Sequence, residues 1–243
     1  MMKIKFKIGA LIFVPLLITA IIAFNSQSIP FDETILAYEV DLKKQALHLF
    51  WKDNNDKPLR SIQNLKNFVE SKQQTLLFAM NAGMYKSDFT PQGLYIENNK
   101  TLANIDTGSG YGNFYLKPNG VFYITNKKLA IVCKTNDFLA KKDIKFATQS
   151  GPILLENGII NPAFKEGSVN INIRNGVGIL PNNHVLFAMS KKEINFYDFA
   201  KFFQIKGCKN ALYLDGFVSR TYLPEKDWKQ TDGNFGVMIG LVK

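Results

Sequence analysis

The stretch IKFATQSGPILLENG, Ile144–Gly158, shows the pattern from which the fold class can be predicted. It contains two short apolar runs separated by Gly151-Pro152, a pair that forces a turn. Short apolar runs bounded by turn residues are typical of buried β-strands joined by tight connections. The stretch therefore predicts two successive strands, with Gln149 and Ser150 at the end of the first.

The same pattern recurs along most of the chain and predicts a protein built mainly of short strands. Two hairpins are expected, one around Asn98-Asn99 and one that turns at Pro118-Asn119-Gly120. The remaining predicted strands are TILAYEVDL, ALHLFW, TLLFAMN, KLAIVCK, GVGIL, HVLFAMS, ALYLD and FGVMIGLV.

Two segments instead have apolar residues at helical spacing. SIQNLKNFVESK offers Ser61 as an N-cap, and EINFYDFAKFFQIKG ends at Gly207. Many strands and few helices predict an α+β fold, a single domain of mixed, mostly antiparallel sheet with two or three helices. The second helix is expected to bury Phe196, Phe199, Phe203 and Ile205 or nearby positions.

The N-terminus has the composition of an export signal. Three lysines precede 17 uncharged residues, Ile8–Phe24. Residues 1–28 are therefore predicted to be a signal peptide or membrane anchor, and residues 29–243 the folded body. We expect that body in the periplasm or at the cell surface, with membrane contact through the leader if it is not cleaved. In an oxidising compartment Cys133 and Cys208 could pair or remain buried thiols, and thiols are favoured.

Charge and composition exclude some classes of protein. Apolar residues make up 46% of the chain, which is enough for a sizeable core. The net charge is +10, but the lysines are scattered and form no basic stripe, so nucleic acid is not an expected partner. The three arginines are Arg60, Arg174 and Arg220, and the last two lie in glycine-containing motifs. An arginine there suits a phosphate or carboxylate, or else forms a structural ion pair.

Polar residues beside glycines at predicted strand ends are the candidate site residues. In ALYLDGFVSR a carboxylate follows a strand built to be buried, where it must be paired, bound to a ligand or used. Polar groups that converge at strand ends are the usual make-up of a pocket. The five that the pattern selects are Asn81, Gln149, Ser150, Arg174 and Asp215.

Two other kinds of site are weaker candidates. A serine triad of Ser150, His184 and Asp215 is disfavoured because His184 lies in the polar turn PNNHV. The oxygens of Asp215, Asn81 and Asp106 could bind a divalent cation, but no spacing specifies one, so no metal or cofactor is assigned.

The segments FAMNAGMY, TPQGLYIENNK, GNFYLKPNGVFYI, FATQSGP, IRNGVGIL, FYDFAKFF and CKNALYLDGFVSR resemble the phosphodiester glycosidase domain family, in its exported bacterial branch. The likeness runs from about residue 33 to residue 242. It departs at Phe217, where the family often has a small residue.

The resemblance implies hydrolysis of an N-acetylglucosamine-1-phosphodiester-like substrate, with release of free sugar and a phosphomonoester. It makes Arg174 and Asp215 the catalytic residues. Arg174, aided by Arg220, would neutralise the leaving phosphate, and Asp215 would stabilise the cationic sugar, attack C1 or activate water. The implied substrate-binding residues are Asn81, Gly83, Gln149, Ser150, Gly151, Asn175, Gly216, Ser219 and Arg220.

Three alternatives stay open at this point. Asp215 could be a structural carboxylate paired with Arg174. The protein could bind phosphorylated glycans in the envelope without catalysis, or it could cleave the P–O bond as a phosphodiesterase. The oligomeric state is not specified by the sequence.

Overall fold

The computed structural model describes residues 31–138, 143–215 and 218–243. The predicted leader, Gly216 and Phe217 lie outside these ranges. Within them, no helix is both long enough and apolar enough to span a bilayer.

In these ranges the chain forms three helices and sixteen strands. The helices are α1 (Phe31–Thr34), α2 (Ile62–Glu70) and α3 (Phe196–Ile205). The strands are β1 (Ile35–Val40), β2 (Leu47–Phe50), β3 (Leu76–Gly83), β4 (Tyr95–Glu97), β5 (Lys100–Ala103), β6 (Gly120–Thr125), β7 (Ala130–Lys134), β8 (Ile144–Ser150), β9 (Ile153–Glu156), β10 (Ile159–Ile160), β11 (Asn175–Ile179), β12 (Val185–Ser190), β13 (Asn210–Tyr213), β14 (Thr221–Leu223), β15 (Trp228–Lys229) and β16 (Val237–Val242).

The strands form three sheets around a shared core. Sheet 1 has the order β1-β12-β11-β13-β9-β10, sheet 2 the order β15-β14-β3-β16-β2, and sheet 3 the order β5-β4-β8-β6-β7. One buried cluster takes Val177 from sheet 1, Met80 from sheet 2 and Phe122 from sheet 3. The predicted α+β single domain is confirmed, and every strand pair in the described residues is antiparallel.

The first predicted helix is confirmed as α2. Ser61 caps it, because its hydroxyl accepts a hydrogen bond of 3.1 Å from the Asn64 N–H. The apolar face of α2 packs on sheet 2.

The second predicted helix is confirmed as α3, with Asn195 as its N-cap and Gly207 at φ +86° just after its end. Phe196, Phe199 and Phe203 are buried as expected. The expected burial of Ile205 was wrong, since this side chain is 60% exposed. At about 100° per residue Ile205 lies opposite Phe196 on the helix, away from sheet 1.

One of the two predicted hairpins forms. Asn98 and Asn99 have φ values of 49° and 67°, and they connect β4 to β5. The hairpin expected at Pro118-Asn119-Gly120 was wrong. Residues Asn113–Tyr115 form a short 3-10 turn, and β6 pairs with β7 and β8 instead. Pro118 has no N–H to donate to a hairpin partner.

The glycines of β11 allow helix α3 to approach the sheet closely. A Cβ on Gly178 would lie 2.6 Å from both Cys208 Sγ and the Phe203 ring, and one on Gly176 would lie 3.2 Å from the Phe199 ring. The group that approaches these glycines is therefore the helix. The Cys208 thiol is buried under α3, and burial raises its pKa to about 12. Cys133 and Cys208 are not joined by a disulfide.

Candidate functional site

Asp215 lies just past β13, where the chain leaves sheet 1 for sheet 2. Its backbone N–H donates to Asn175 Oδ1 at 2.8 Å. Its carbonyl oxygen accepts from Asn81 Nδ2 at 2.7 Å and from Ser219 Oγ at 3.1 Å. The peptide groups of Asp215 are therefore fixed from three directions.

The two asparagines form a buried junction between the sheets. Asn175 Nδ2 donates to the backbone oxygen of Asn81 at 2.8 Å and to its Oδ1 at 3.0 Å. Asn81 Oδ1 also accepts from the Arg220 N–H at 3.0 Å. Asn81 lies two residues before the end of β3 in sheet 2, and Asn175 starts β11 of sheet 1. This network therefore holds both ends of the Asp215–Arg220 segment.

Ser150 brings the third sheet to the same place. It ends β8, it is fully buried, and its hydroxyl donates to the Leu214 carbonyl oxygen. The structure thus brings Asn81, Ser150 and Asp215, three of the five residues that the strand-end pattern selects, together with Asn175 where three sheets meet.

The carboxyl group of Asp215 has hydrogen-bonding capacity that the protein does not use. Its Oδ2 atom is shielded from solvent and has no hydrogen-bond partner within the described residues. Burial raises the pKa of the Asp215 carboxyl to about 7, and a hydrogen bond from Asn81 opposes part of that rise. Both protonation states are therefore populated near neutral pH, as an acid–base catalyst requires.

Tyr85 is a neighbour of Asp215 that the sequence patterns did not select. Burial, and then the charge of Asp215, raise the pKa of the Tyr85 hydroxyl. That hydroxyl donates to the Asn234 carbonyl oxygen at 2.6 Å, and the ring stacks on Phe89. Tyr85 follows Gly83 by two residues in the segment that supplies Asn81, and this position could have marked it as a site residue.

Gln149 has no hydrogen-bonding capacity left for a ligand in this arrangement. Its Oε1 accepts from the Leu94 and Asp106 N–H groups, each at 2.9 Å. Its Nε2 donates to the Asp106 carbonyl oxygen at 2.6 Å and to Thr135 Oγ1 at 3.2 Å. Gln149 was expected to bind substrate, whereas the structure uses it to anchor the loop around Asp106.

Replacing Gln149 with leucine is expected to destabilise the protein by about 3 kcal/mol, because four buried or partly buried polar groups lose a partner. The free energy of unfolding in urea measures this change. Gln74→Leu is the matched control, since Gln74 is exposed and should change stability by less than about 0.5 kcal/mol. Equal effects of the two substitutions would contradict the anchoring role.

Two predicted site glycines have packing roles. A Cβ on Gly83 would lie 2.4 Å from Thr148 Oγ1, so Gly83 allows β3 to approach β8. A Cβ on Gly151 would lie 2.6 Å from the Asn119 Cβ. Both positions shape the sheet junction, and Gly216 lies outside the described residues.

Arg174 differs most from its expected placement. It precedes β11 as expected, but its side chain is fully buried under α3. The guanidinium lies 3.6 Å from the Phe196 ring centroid, with Nε donating to the Ile194 carbonyl oxygen at 2.7 Å and Nη2 to the Asn170 carbonyl oxygen at 2.8 Å. No ion pair joins it to Asp215 in the described part of the chain. In this structure Arg174 fastens neighbouring loops and is closed off from an incoming phosphate.

Arg220 is the more accessible of the two arginines. Its Nε donates to both carboxylate oxygens of Asp232, at 2.9 and 2.8 Å, and Nη1 donates to the Ser219 carbonyl oxygen. Its side chain is 36% exposed. The guanidinium is therefore partly open to solvent, in the same chain segment as Asp215.

The weaker candidates are not assembled. Ser150 bonds to a backbone carbonyl, and the His184 ring lies 2.5 Å from Glu39. Asp106 accepts hydrogen bonds from the Gly108 N–H and the Tyr115 hydroxyl. Among the residues that the structure describes, no three histidine, cysteine or acidic side chains cluster as metal ligands would.

A family model described as phosphodiester glycosidase matches residues 74–239, which include the Asn81–Asn175–Asp215 junction. The chain belongs to the phosphodiester glycosidase family. A relative in this family is the uncharacterized Escherichia coli protein YigE, 38% identical over 191 residues that span 78% of this chain and 74% of YigE.

Solved structures share the phosphodiester glycosidase fold at low identity. The catalytic domain of zebrafish N-acetylglucosamine-1-phosphodiester alpha-N-acetylglucosaminidase, auto-inhibited by its pro-peptide, matches with a TM-score of 0.59 and 14% identity over 89% of this chain and 84% of its own. A putative exported protein from Burkholderia pseudomallei matches with a TM-score of 0.54 and 10% identity over 85% and 73%. A hypothetical protein from Synechocystis matches with a TM-score of 0.52 and 12% identity over 86% and 59%.

Proposed function

We propose that this phosphodiester glycosidase hydrolyses a glycosyl 1-phosphodiester and that Asp215 is its reactive carboxyl group. The observation that carries the proposal is the shielded, unpartnered Oδ2 of a carboxyl whose backbone is fixed by Asn81, Asn175 and Ser219. A polar atom held rigidly without a partner is costly unless a ligand or a reaction uses it.

A phosphomonoester leaving group allows the reaction to proceed with a single catalytic carboxyl group. A departing phosphomonoester has a second pKa of about 6, so it needs less protonation than a sugar hydroxyl does. Asp215 in its carboxylate form stabilises positive charge at the anomeric carbon, attacks that carbon or takes a proton from water. Because its pKa is about 7, the carboxylate is present at neutral pH and disappears in acid.

The phosphate is assigned to Arg220 and no longer to direct contact with Arg174. Arg220 is partly exposed, and its backbone N–H is held by the same Asn81 that holds Asp215. A guanidinium fork matches two phosphate oxygens, and an incoming phosphate would compete with Asp232 for it. Arg174 supports the site indirectly, because it fixes the start of β11, where Asn175 lies.

An N-acetylglucosamine 1-phosphodiester is the proposed substrate, by analogy with the zebrafish N-acetylglucosamine-1-phosphodiester alpha-N-acetylglucosaminidase. We also propose that the protein is exported. The lysine-rich start and the 17 uncharged residues of the leader support this location.

The test is product analysis in oxygen-18 water with purified protein and an N-acetylglucosamine α-1-phosphodiester. Labelled free sugar is expected, because the glycosidase reaction breaks the bond between C1 and oxygen. Labelled phosphate would overturn the proposal in favour of P–O cleavage. Saturable binding without turnover, unchanged in Asp215→Asn, would instead favour a protein that only binds phosphorylated glycans.

A further inference from the structure

A cavity of about 310 Å³ lies at the opposite end of the strands from Asp215. Its walls come from the β1–β2 turn, from β2 itself, from the β6–β7 turn and from the start of β8. Four lysines and a histidine line it: Lys43, Lys44, Lys128, Lys145 and His48.

The two sites are separated by the length of a strand. Lys145 is near the start of β8 and Ser150 at its end, so they are about 17 Å apart at 3.3 Å per residue. The neighbouring strand β6 spans the same distance, with Ile124 beside Phe146 and Gly120 beside Ser150. The cavity is therefore not an extension of the Asp215 site.

Positive charge in this cavity is poorly balanced. No carboxylate lines it in the described part of the chain. Lys44 lies 3.6 Å from Asp41, and the Lys128 ammonium donates to the Lys43 carbonyl oxygen at 3.4 Å. Within the described residues, Lys43 and Lys145 have no acidic partner. Asp143, near the rim, accepts a hydrogen bond from Asn126.

A half-buried imidazole lies beside these ammonium groups. The His48 ring lies 5.9 Å from the Phe50 ring and 5.6 Å, edge-on, from the Phe146 ring. Burial, and then the charge of Lys145, lower the pKa of His48, so the ring is neutral at pH 7 and can donate one N–H.

We propose that this cavity is a second ligand site that binds a phosphate or phosphodiester group. Several ammonium groups around a concave wall attract an oxyanion, and a neutral imidazole adds a directed donor. Lysines are point charges without a fixed fork, so both phosphate monoesters and diesters fit. The site does not depend on the proposed hydrolytic activity.

Imidazole NMR of the full-length protein tests this site, because the chain has only two histidines. The probe is sn-glycerol 3-phosphate, added at constant ionic strength. The His48 signal is expected to shift saturably and its pKa to rise, since a bound anion stabilises the imidazolium. The His184 signal should shift much less, because its ring already lies 2.5 Å from Glu39 and 3.8 Å from Asp41 and does not line the cavity. An unchanged His48 signal would overturn the proposal.

Paired variants separate a built site from general surface charge. Lys43→Ala/Lys145→Ala should bind the probe at least about tenfold more weakly, whereas the exposed pair Lys100→Ala/Lys192→Ala removes the same charge and should change affinity less than about twofold. Equal weakening in both variants would overturn the proposal. Phosphatidylglycerol vesicles, compared with phosphatidylcholine vesicles, identify the source of the phosphate. Vesicle binding that depends on Lys43 and Lys145 means a lipid headgroup, and binding of the soluble ester alone means a free phosphate ester.

Discussion

Asp215→Asn is expected to lower the rate of hydrolysis by about 10³-fold and, at the same time, to make the folded protein more stable above pH 7. The amide keeps the size of the carboxyl but can neither ionise nor take a proton. It also removes the cost of holding a buried carboxylate with an unpartnered oxygen. A loss of activity with a gain in stability is typical of a residue kept for function.

The stability change should depend on pH in a defined direction. The folded-state pKa of Asp215 is about 7, above its ordinary value of 3.8. Between these two values the folded protein holds a proton that the unfolded chain has lost, so wild-type stability falls as pH rises from about 4 to about 7. The whole shift corresponds to roughly 4 kcal/mol. The advantage of Asp215→Asn should therefore be small at pH 4 and largest above pH 7.

Urea unfolding at pH 5 and pH 8, together with steady-state rates, measures both effects. Glu166→Gln is the matched control, because Glu166 is exposed and its substitution should change neither stability nor rate. If Asp215→Asn is destabilised equally at both pH values and keeps most of its activity, Asp215 is a structural carboxylate and the proposed mechanism fails.

Arg174→Lys is expected to destabilise the fold by about 3 kcal/mol or more, although it keeps the positive charge. A lysine cannot reproduce the bonds to the Ile194 and Asn170 carbonyl oxygens or the stacking on Phe196. The lost bonds leave partly buried carbonyl groups without donors. Because Arg174 is closed off from solvent, the KM for the phosphodiester should change less than about threefold in the fraction that remains folded.

Arg220→Lys is the comparison variant, because it shows whether Arg220 or Arg174 binds the phosphate. Its ion pair with Asp232 is partly exposed, so its loss should cost less than about 1 kcal/mol. A bidentate contact with the phosphate would be lost, so KM should rise by about tenfold. The opposite pattern, with a stable Arg174→Lys protein of poor affinity and an unaffected Arg220→Lys protein, would return the phosphate to Arg174.

The sequence predicts where polar residues meet better than what each one contacts. Strand ends beside glycines correctly brought Asn81, Ser150 and Asp215 to one junction, and Asn175 came from the family resemblance. Local patterns could not show that Gln149 turns toward a loop, because its partner Asp106 is 43 residues away.

The orientation of the Arg174 side chain could not be predicted either, because its contacts are also distant in sequence. Its side chain is fixed by Ile194, 20 residues further along, and by the helix that follows. A glycine beside an arginine indicates close approach, but the sequence does not say whether a phosphate or a helix approaches. Hairpins with two positive-φ asparagines are predictable from local chemistry, whereas the 3-10 turn before β6 depends on contacts made elsewhere.

The position of β16 has a consequence for the order in which the protein can be made and folded. β16 follows every other described strand in the chain, yet it lies inside sheet 2, between β3 and β2. Its register with β3 reaches Asn81, which faces Met238. Until this last strand emerges from the ribosome, β2 and β3 have no bond to each other, and the asparagine junction lacks its support. Sheet 2 can therefore close only after β16 has been made, whereas sheets 1 and 3 contain no part of it.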